Sequence, residues 1–180
     1  IMVNIVTSQE DKKVLNPIIE SLIEKFPSIT SIINNITTRK SGVSFGEYQV
    51  VLHGNEYMLE KLGEYEFMIS ANSFFQTNTH QAEKLYDIVL EESKLSGKEI
   101  VYDLFCGTGS ISLYISGHAK MVYGFELIMS AVRDAMQNAA NNKVKNARFF
   151  AGNLENLFRE NPEAKDLNPP DVMIVDPPRV

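Results

Sequence analysis

Three residues in one short stretch, and a fourth further along, have the types and spacing of a nucleotide-binding loop. The stretch VYDLFCGTGS contains Asp103, Gly107 and Gly109, and Glu126 ends the next apolar stretch. Glycine accepts a positive φ and lets a ligand approach the backbone closely, and the helix that follows presents free amide groups. A carboxylate at the end of the next strand can accept hydrogen bonds from both hydroxyls of a ribose. The spacing therefore predicts a site for a ligand that contains a nucleoside.

The dinucleotide-binding fingerprint G-x-G-x-x-G fails at its third glycine, because Ser112 stands there. This departure favours a ligand with an adenosine but no pyrophosphate, such as S-adenosylmethionine. A strand with Asp-x-x-x-Gly-x-Gly, followed by a strand that ends in Glu, is typical of methyltransferases that use this cofactor. In those enzymes an acidic residue near the glycine turn lies toward the methionine end of the cofactor. The alternative is that the glycines only allow tight packing of strand against helix.

Two further strand ends carry candidate residues. Asn153 lies in GNLEN after the third strand, where methyltransferases commonly bind the adenine ring, and Asp176 begins DPPR after the fourth. Paired prolines make a stiff turn that can hold Asp176 toward a reacting centre. Asn153 has a simpler alternative role as the cap of a short helix near Glu155. The prolines could likewise only terminate the strand.

Cys106 is the only cysteine, which excludes an intrachain disulfide and a cysteine-rich zinc site. It lies inside the glycine turn, where it would compete with the methionine end of a cofactor. We interpret it as a small filler in a crowded turn rather than as a nucleophile. His53, His80 and His118 have no metal-ligand spacing, so no metal site is expected.

Strands and helices alternate from residue 67 onward. Nearly all-apolar strands in such an order predict a parallel sheet covered on both faces, in a doubly wound α/β domain. The usual winding places DVMIV beside EIVYDLF. Because that would leave a bare apolar edge, we expect more sheet after residue 180 and regard the sheet as incomplete.

Residues 1–66 mix signals for strands and for a helix. VNIVT is predicted to be a strand and KKVLNPIIESLIEKF a helix, and two β-rich runs flank the turn-like KSGVSFGE. The pattern predicts a small α+β lobe with a hairpin. Arg39, Lys40 and Lys61 are candidates for phosphate contacts, although a solvated hairpin would explain them equally well.

The bulk composition is that of a globular protein of 180 residues, with 44% hydrophobic and 22% charged residues. No apolar run approaches the roughly 20 residues of a membrane span. The single cysteine favours a reducing compartment, so a cytoplasmic location is expected. The net charge of −6 argues against nonspecific binding of nucleic acid, but not against a nucleic-acid enzyme with local basic surface. The first residues, Ile1 and Met2, are not a translation start, and we expect that both ends have been cut.

The motifs together resemble those of bacterial RNA 5-methyluridine methyltransferases. The resemblance runs in order through SFFQTN, DLFCGTGSISL, GFE, AMQNAANN, GNLEN and DPPR. FFQTN joined to DPPR is much more specific than the glycine loop. The resemblance implies a Rossmann-like core that binds S-adenosylmethionine, preceded by a lobe, with INNITT and GVSFGE, that faces ribosomal or transfer RNA. No obligate protein partner is evident.

Carried over position by position, the resemblance implies six cofactor contacts. They are Gln76, Phe105, Ser110, Glu126, Asn153 and Asp176. Ser110 departs from the asparagine of several family members, and Asp176 bears on both the cofactor and the target base. Family members often carry a small β-barrel ahead of the region that matches this chain.

The implied chemistry is covalent and needs residues beyond this chain. In the family a cysteine thiolate adds to C6 of uracil, C5 takes the methyl group, and a base removes the C5 proton. The nucleophile follows DPPR in a Ser-Cys-Asn segment and a glutamate base lies further on, so both are expected after Val180. Two alternatives stay open: another RNA or DNA methyltransferase that modifies a base nitrogen, and a cofactor- or RNA-binding module without chemistry.

Overall fold

The computed structural model describes residues 1–38 and 46–178. The chain divides into two compact units, the first made of Ile1–Leu59 and Ile69–Asn72 and the second of Glu60–Met68 and Ser73–Val180. The boundary expected from sequence, after residue 66, falls in the stretch where the chain passes between the units. Arg39, Lys40 and most of the predicted turn lie outside the described residues.

The first unit is built on a three-stranded sheet with the strand order β1-β2-β3. Its elements are β1 (Met2–Thr7), α1 (Lys12–Lys25), β2 (Ser31–Ile36) and β3 (Tyr48–Gly54). The pair β1–β2 is parallel and the pair β2–β3 is antiparallel. Helix α1 begins where the Asp11 carboxylate accepts from two free backbone N–H groups. Its buried Leu15 and Ile19 pack with Ile29 and Ile32.

A second, two-stranded sheet was not predicted. It consists of β4 (Tyr57–Leu62) and β5 (Tyr65–Ser70), joined through Gly63 at φ 59°. Side chains in β5 alternate between more and less buried positions, which is the period of a half-buried strand.

The second unit contains the predicted parallel sheet, with the strand order β8-β7-β6-β9. Its elements are α2 (Thr79–Ser93), β6 (Ile100–Leu104), α3 (Ser110–Ser116), β7 (Met121–Glu126), α4 (Met129–Asn141), β8 (Ala147–Ala151), α5 (Leu154–Glu160), α6 (Pro162–Lys165) and β9 (Val172–Val175). All its strand pairs are parallel, and β9 lies beside β6 as predicted. The doubly wound α/β prediction is confirmed.

Helices cover both faces of this parallel sheet. On one face Tyr102, Phe125 and Phe150 pack against Leu157 of α5 and Ala164 of α6. The opposite face, which includes Asp103 and Gly124, lies under α3 and α4. An aspartate on a covered face needs hydrogen-bond donors around its carboxylate, because burial of an unpaired charge is costly.

The segment NPEAKDLNPP has the composition of a loop, yet α6 forms within it. The Asn161 side chain accepts from the backbone N–H groups of Glu163 and Ala164, and Pro162 occupies the first turn. Asparagine at the cap and proline at the first helical position are a strong start signal, and it outweighs the loop-like composition of the segment.

No helix in the described part of the chain is long and apolar enough to cross a membrane.

Candidate functional site

The register of the parallel sheet aligns the carboxyl ends of its strands. Leu104 pairs with both Phe125 and Val175, and Glu126 pairs with Ala151. Residues that directly follow these positions therefore meet at one edge of the sheet. Ligands of open α/β sheets bind outside this edge.

The turn between β6 and α3 has a left-handed backbone at three positions. Phe105 has φ 65°, Gly107 has φ 55° and Gly109 has φ 78°. A Cβ atom at Gly109 would lie 2.9 Å from Cζ of Phe149 and 3.1 Å from Cβ of Ala135, so only glycine fits there. At Gly107 the nearest atom to such a Cβ would be the Phe74 carbonyl oxygen, at 4.0 Å. The turn is thus packed tightly below Gly109 and open above Gly107, where a ligand can approach.

Glu126 ends β7 and holds the turn directly. Its Oε2 accepts from the Gly107 N–H at 3.1 Å, and its Oε1 accepts from the Ile128 N–H at 2.9 Å. The Gly152 N–H donates to the Glu126 carbonyl oxygen at 2.9 Å, which brings the start of GNLEN next to it. An ionised carboxylate has about four acceptor positions, so both oxygens keep capacity for ligand hydroxyls.

Asp103 lies beneath the turn with only 1% of its surface exposed. Its Oδ2 accepts from the Ser112 hydroxyl at 2.6 Å, whereas its Oδ1 has no hydrogen-bond partner within residues 1–38 and 46–178. Burial, together with the smaller effect of the negative charges of Asp176 and Glu126, raises the pKa of Asp103 to about 7, although hydrogen bonding to Ser112 lowers it. Asp103 can therefore change its ionisation near neutral pH.

Ser110 is held by Tyr86, which no sequence motif marks as a site residue. The hydroxyls of Ser110 and Tyr86 share a hydrogen bond of 2.8 Å, and Tyr86 is buried in α2. Burial raises the pKa of Tyr86, so its hydroxyl stays protonated at neutral pH. The spacing of buried residues along α2 predicts only that Tyr86 is a core residue. Nothing in the sequence connects Tyr86 to Ser110.

The remaining predicted contacts are placed by neighbouring segments. Partly buried Gln76 follows Phe74, whose carbonyl oxygen lies near Gly107. Asn153 caps α5 by accepting from the Glu155 N–H at 3.0 Å, which is the simpler role considered for it. Asp176 directly follows β9 and is exposed.

A groove of about 580 Å³ runs along β8, α5 and α6. Of the six predicted contacts only Asn153 lines it, so the groove is separate from the glycine turn. Among the described residues no group of three His, Cys, Asp or Glu side chains could hold a metal ion.

Cys106 is buried inside the turn, and its environment favours the filler interpretation. A Cβ atom at Gly124 would lie 2.8 Å from the Cys106 Sγ, so the sulfur packs directly on β7. Burial raises the pKa of the thiol well above its ordinary value, and the charges of Asp103 and Glu126 add to this. A reactive cysteine needs the opposite environment, one that is exposed and electropositive.

The folded chain is expected to resist alkylation of Cys106 by iodoacetamide at neutral pH. Cys106 is 7% exposed and its thiolate is disfavoured, so labelling requires opening of the turn. Mass spectrometry of the folded and the urea-unfolded chain measures this. Labelling of the folded chain as fast as the unfolded one would contradict the filler interpretation.

Residues 95–176 match the family model described as a methyltransferase domain. The match covers just under half of the chain. The fold of this part is the Rossmann-like fold of enzymes that use S-adenosylmethionine, which agrees with the cofactor predicted from the glycine turn.

Similarity to curated relatives extends beyond residues 95–176. The chain is 43% identical over 180 residues to an uncharacterized RNA methyltransferase of Chlorobaculum tepidum, covering 99% of this chain and 37% of the relative. It is 44% identical over 166 residues to an uncharacterized RNA methyltransferase of Bacillus cereus, covering 90% of this chain and 35% of the relative. The chain thus spans little more than a third of the length of these relatives.

A solved structure also resembles nearly the whole chain. It is the Pyrococcus abyssi tRNA (uracil-54, C5)-methyltransferase in complex with S-adenosyl-L-homocysteine, at 30% identity and a TM-score of 0.69. The match covers 98% of this chain and 40% of that protein. The similarity therefore includes the segment that precedes residue 95.

Proposed function

We propose that the chain is the cofactor-binding part of an S-adenosylmethionine-dependent RNA methyltransferase whose target is C5 of a uridine. The arrangement of Glu126 on the amide of Gly107, at the open side of the turn, carries the proposal. Support for the RNA substrate comes from the relatives named RNA methyltransferases. Support for uracil C5 comes from FFQTN and DPPR and from the Pyrococcus abyssi relative.

The residues around the turn fit this cofactor. Asp103 Oδ1 and Thr108 Oγ1 are buried polar atoms that find no hydrogen-bond partner among the described residues. A buried polar group left in this way costs about 1–3 kcal/mol, so a ligand donor near it would be stabilising. A cofactor with an amino group at one end and ribose hydroxyls near its middle supplies such donors.

Each candidate residue has a defined task in this proposal. Glu126 accepts hydrogen bonds from the ribose hydroxyls, and Asp103 supplies negative charge below the turn for the amino group. Ser110, oriented by Tyr86, adds a hydroxyl, while Gln76, Phe105 and Asn153 border the bound molecule. When bound, the cofactor supplies the methyl group.

Asp176 and the paired prolines are proposed to border the target base. Pro177 and Pro178 restrict the backbone after β9, which limits how far the Asp176 carboxylate can move. A flipped base needs a preformed pocket, since its extraction costs stacking energy. The nucleophile and the base catalyst are proposed to lie after Val180.

The segment before residue 67 is proposed to face the RNA. Lys61 of β4 is exposed and can contact a phosphate, whereas Arg39 and Lys40 lie outside the described residues. Phosphate contacts position an RNA without reading its sequence, so this surface does not by itself select the uridine.

A methyl-transfer assay on unmodified ribosomal and transfer RNA tests the proposal. A protein that carries this chain together with the segment after Val180 is expected to form 5-methyluridine. RNA with 5-fluorouracil at the target should trap it covalently, because C5 then has no proton to lose. The 180-residue chain alone should bind S-adenosylhomocysteine without turnover.

Other outcomes of this assay would distinguish the alternatives. Methylation of a guanine or an adenine would show that the target is a base nitrogen and not uracil C5. Cofactor and RNA binding by the longer protein without any methylation would support a module without chemistry. Methyl transfer by the 180-residue chain alone would contradict a nucleophile located after Val180.

A further inference from the structure

One face of α4 lies directly against the glycine turn. Ala135 is so close to Gly109 that a Cβ atom there would approach it within 3.1 Å. Asn138, one turn further along α4, is completely buried. A buried carboxamide next to small apolar side chains is costly unless all its hydrogen bonds are made.

The Asn138 side chain makes three hydrogen bonds, to two different parts of the second unit. Its Oδ1 accepts from the Met68 N–H at 2.7 Å, and its Nδ2 donates to the Met68 carbonyl oxygen at 3.2 Å. The same Nδ2 donates to the Thr108 carbonyl oxygen at 3.2 Å. A carboxamide has two N–H donors and one carbonyl acceptor, so every polar group of Asn138 is used.

Thr108 stands between the two glycines of the turn. Its carbonyl group and the Gly109 amide belong to one peptide plane, so a bond to this oxygen also sets the direction of the Gly109 N–H. Neither glycine has a side chain that could anchor the turn. The hydrogen bond from α4 therefore fixes a backbone that is intrinsically free to move.

We propose that Asn138 is a positioning residue for the cofactor turn, which it ties to β5 through Thr108 and Met68. This inference rests on the proposed function, because it assumes that the turn binds the cofactor. The same face of α4 holds the start of SFFQTN, where the Ser73 hydroxyl donates to Asp134 at 2.5 Å. One helix thus aligns the turn with the segment that carries Gln76.

Asn142, the residue directly after α4, provides a matched control one turn beyond Asn138. Its Oδ1 accepts from the Glu66 N–H at 2.9 Å, and its Nδ2 donates to the Glu66 carbonyl oxygen at 2.7 Å. Asn142 therefore holds β5 in the same manner as Asn138, two residues earlier along the strand. Within the described residues its side chain makes no hydrogen bond to the glycine turn.

The test compares Asn138→Ala with Asn142→Ala in the 180-residue chain. Urea unfolding measures stability, and calorimetry measures S-adenosylhomocysteine affinity under conditions where each variant is folded. Both variants should lose stability, but affinity should fall about five- to tenfold only in Asn138→Ala, which corresponds to one buried hydrogen bond. A purely structural role would leave the affinities of the two variants equal.

Hydrogen exchange of the unsubstituted chain provides a second measurement that does not depend on folding of the variants. Addition of S-adenosylhomocysteine should slow exchange of the Met68 amide, which donates to Asn138, more than that of the Glu66 amide. Equal changes at the two amides would overturn the inference. Unchanged affinity in Asn138→Ala would overturn it as well, without affecting the proposed function. Failure of the unsubstituted chain to bind the ligand would overturn both.

Discussion

Replacement of Glu126 by alanine is expected to weaken S-adenosylhomocysteine binding about tenfold or more. A hydrogen bond to a charged group contributes about 1.5–3 kcal/mol, and the proposed contact to the ribose involves two hydroxyls. The substitution also frees the amides of Gly107 and Ile128, which both donate to this carboxylate. Loss of the ligand contact and loosening of the turn should both lower the affinity for S-adenosylhomocysteine.

Asp171 supplies the control for this substitution. Its Oδ2 accepts from the Ile100 N–H at 2.8 Å, at the amino end of the same sheet and thus away from the proposed site. Asp171→Ala removes a carboxylate with a comparable structural task, so it should change stability but not affinity. Calorimetry at equal folded fractions separates the two effects.

Glu126→Gln refines the expected result. Glutamine keeps one oxygen acceptor but places an NH₂ group against a backbone N–H that formerly met an oxygen. The affinity of Glu126→Gln for S-adenosylhomocysteine should therefore lie between the affinities of the unsubstituted chain and of Glu126→Ala. Unchanged affinity in Glu126→Ala would contradict the proposed ribose contact. Tighter binding of a nicotinamide dinucleotide than of S-adenosylhomocysteine would contradict the choice of cofactor.

The parallel sheet was predictable because its strands are short, apolar and separated by helical periodicity. The pairing of β9 with β6 followed from the usual winding, and the alignment of Glu126 with the glycine turn followed from the pairing. A residue at the end of a strand, such as Glu126, can thus be located from the local sequence alone. Its location does not depend on which side chains surround it in the folded chain.

Features that depend on contacts between distant residues were not predictable. Asn138 reaches Met68 across 70 positions of sequence, and the pairing of Tyr86 with Ser110 joins two helices. The hairpin of β4 and β5 was missed because its alternation of apolar and polar residues is interrupted by charged side chains. In each case the decisive partner is set by tertiary packing, which overrides local propensity.

The burial of Asp103 was also beyond prediction, and it leads to the last expected result. Stability of the chain should fall as the pH rises from about 4 to about 7, relative to Asp103→Asn. In the unfolded chain an aspartate titrates near pH 3.9, whereas burial raises the pKa of folded Asp103 to about 7. Across this window the folded state keeps a proton that the unfolded state has lost. Stability therefore decreases with pH and levels off above about 7.

The size of this effect follows from the difference between the two pKa values. Each pKa unit corresponds to about 1.36 kcal/mol, so the stability should change by on the order of 4 kcal/mol across this pH window. Urea unfolding of the chain and of Asp103→Asn, from about pH 4 to about pH 8, measures it, because titrating groups that do not interact with Asp103 cancel in the difference. Parallel stability curves for the two proteins would show that Asp103 is already ionised in the folded state.

Proton release on ligand binding gives an independent measurement of the ionisation of Asp103. If the Oδ1 of Asp103 meets the cofactor's amino group, binding favours the ionised carboxylate and lowers its pKa. Below about pH 7 the chain should then release up to one proton as S-adenosylhomocysteine binds. Calorimetry in buffers with different ionisation enthalpies measures this release, which should vanish in Asp103→Asn.

Release that persists in Asp103→Asn would assign the proton to another group. An absence of release from the unsubstituted chain near pH 6 would place the amino group away from Asp103, even if the stability curves behave as expected.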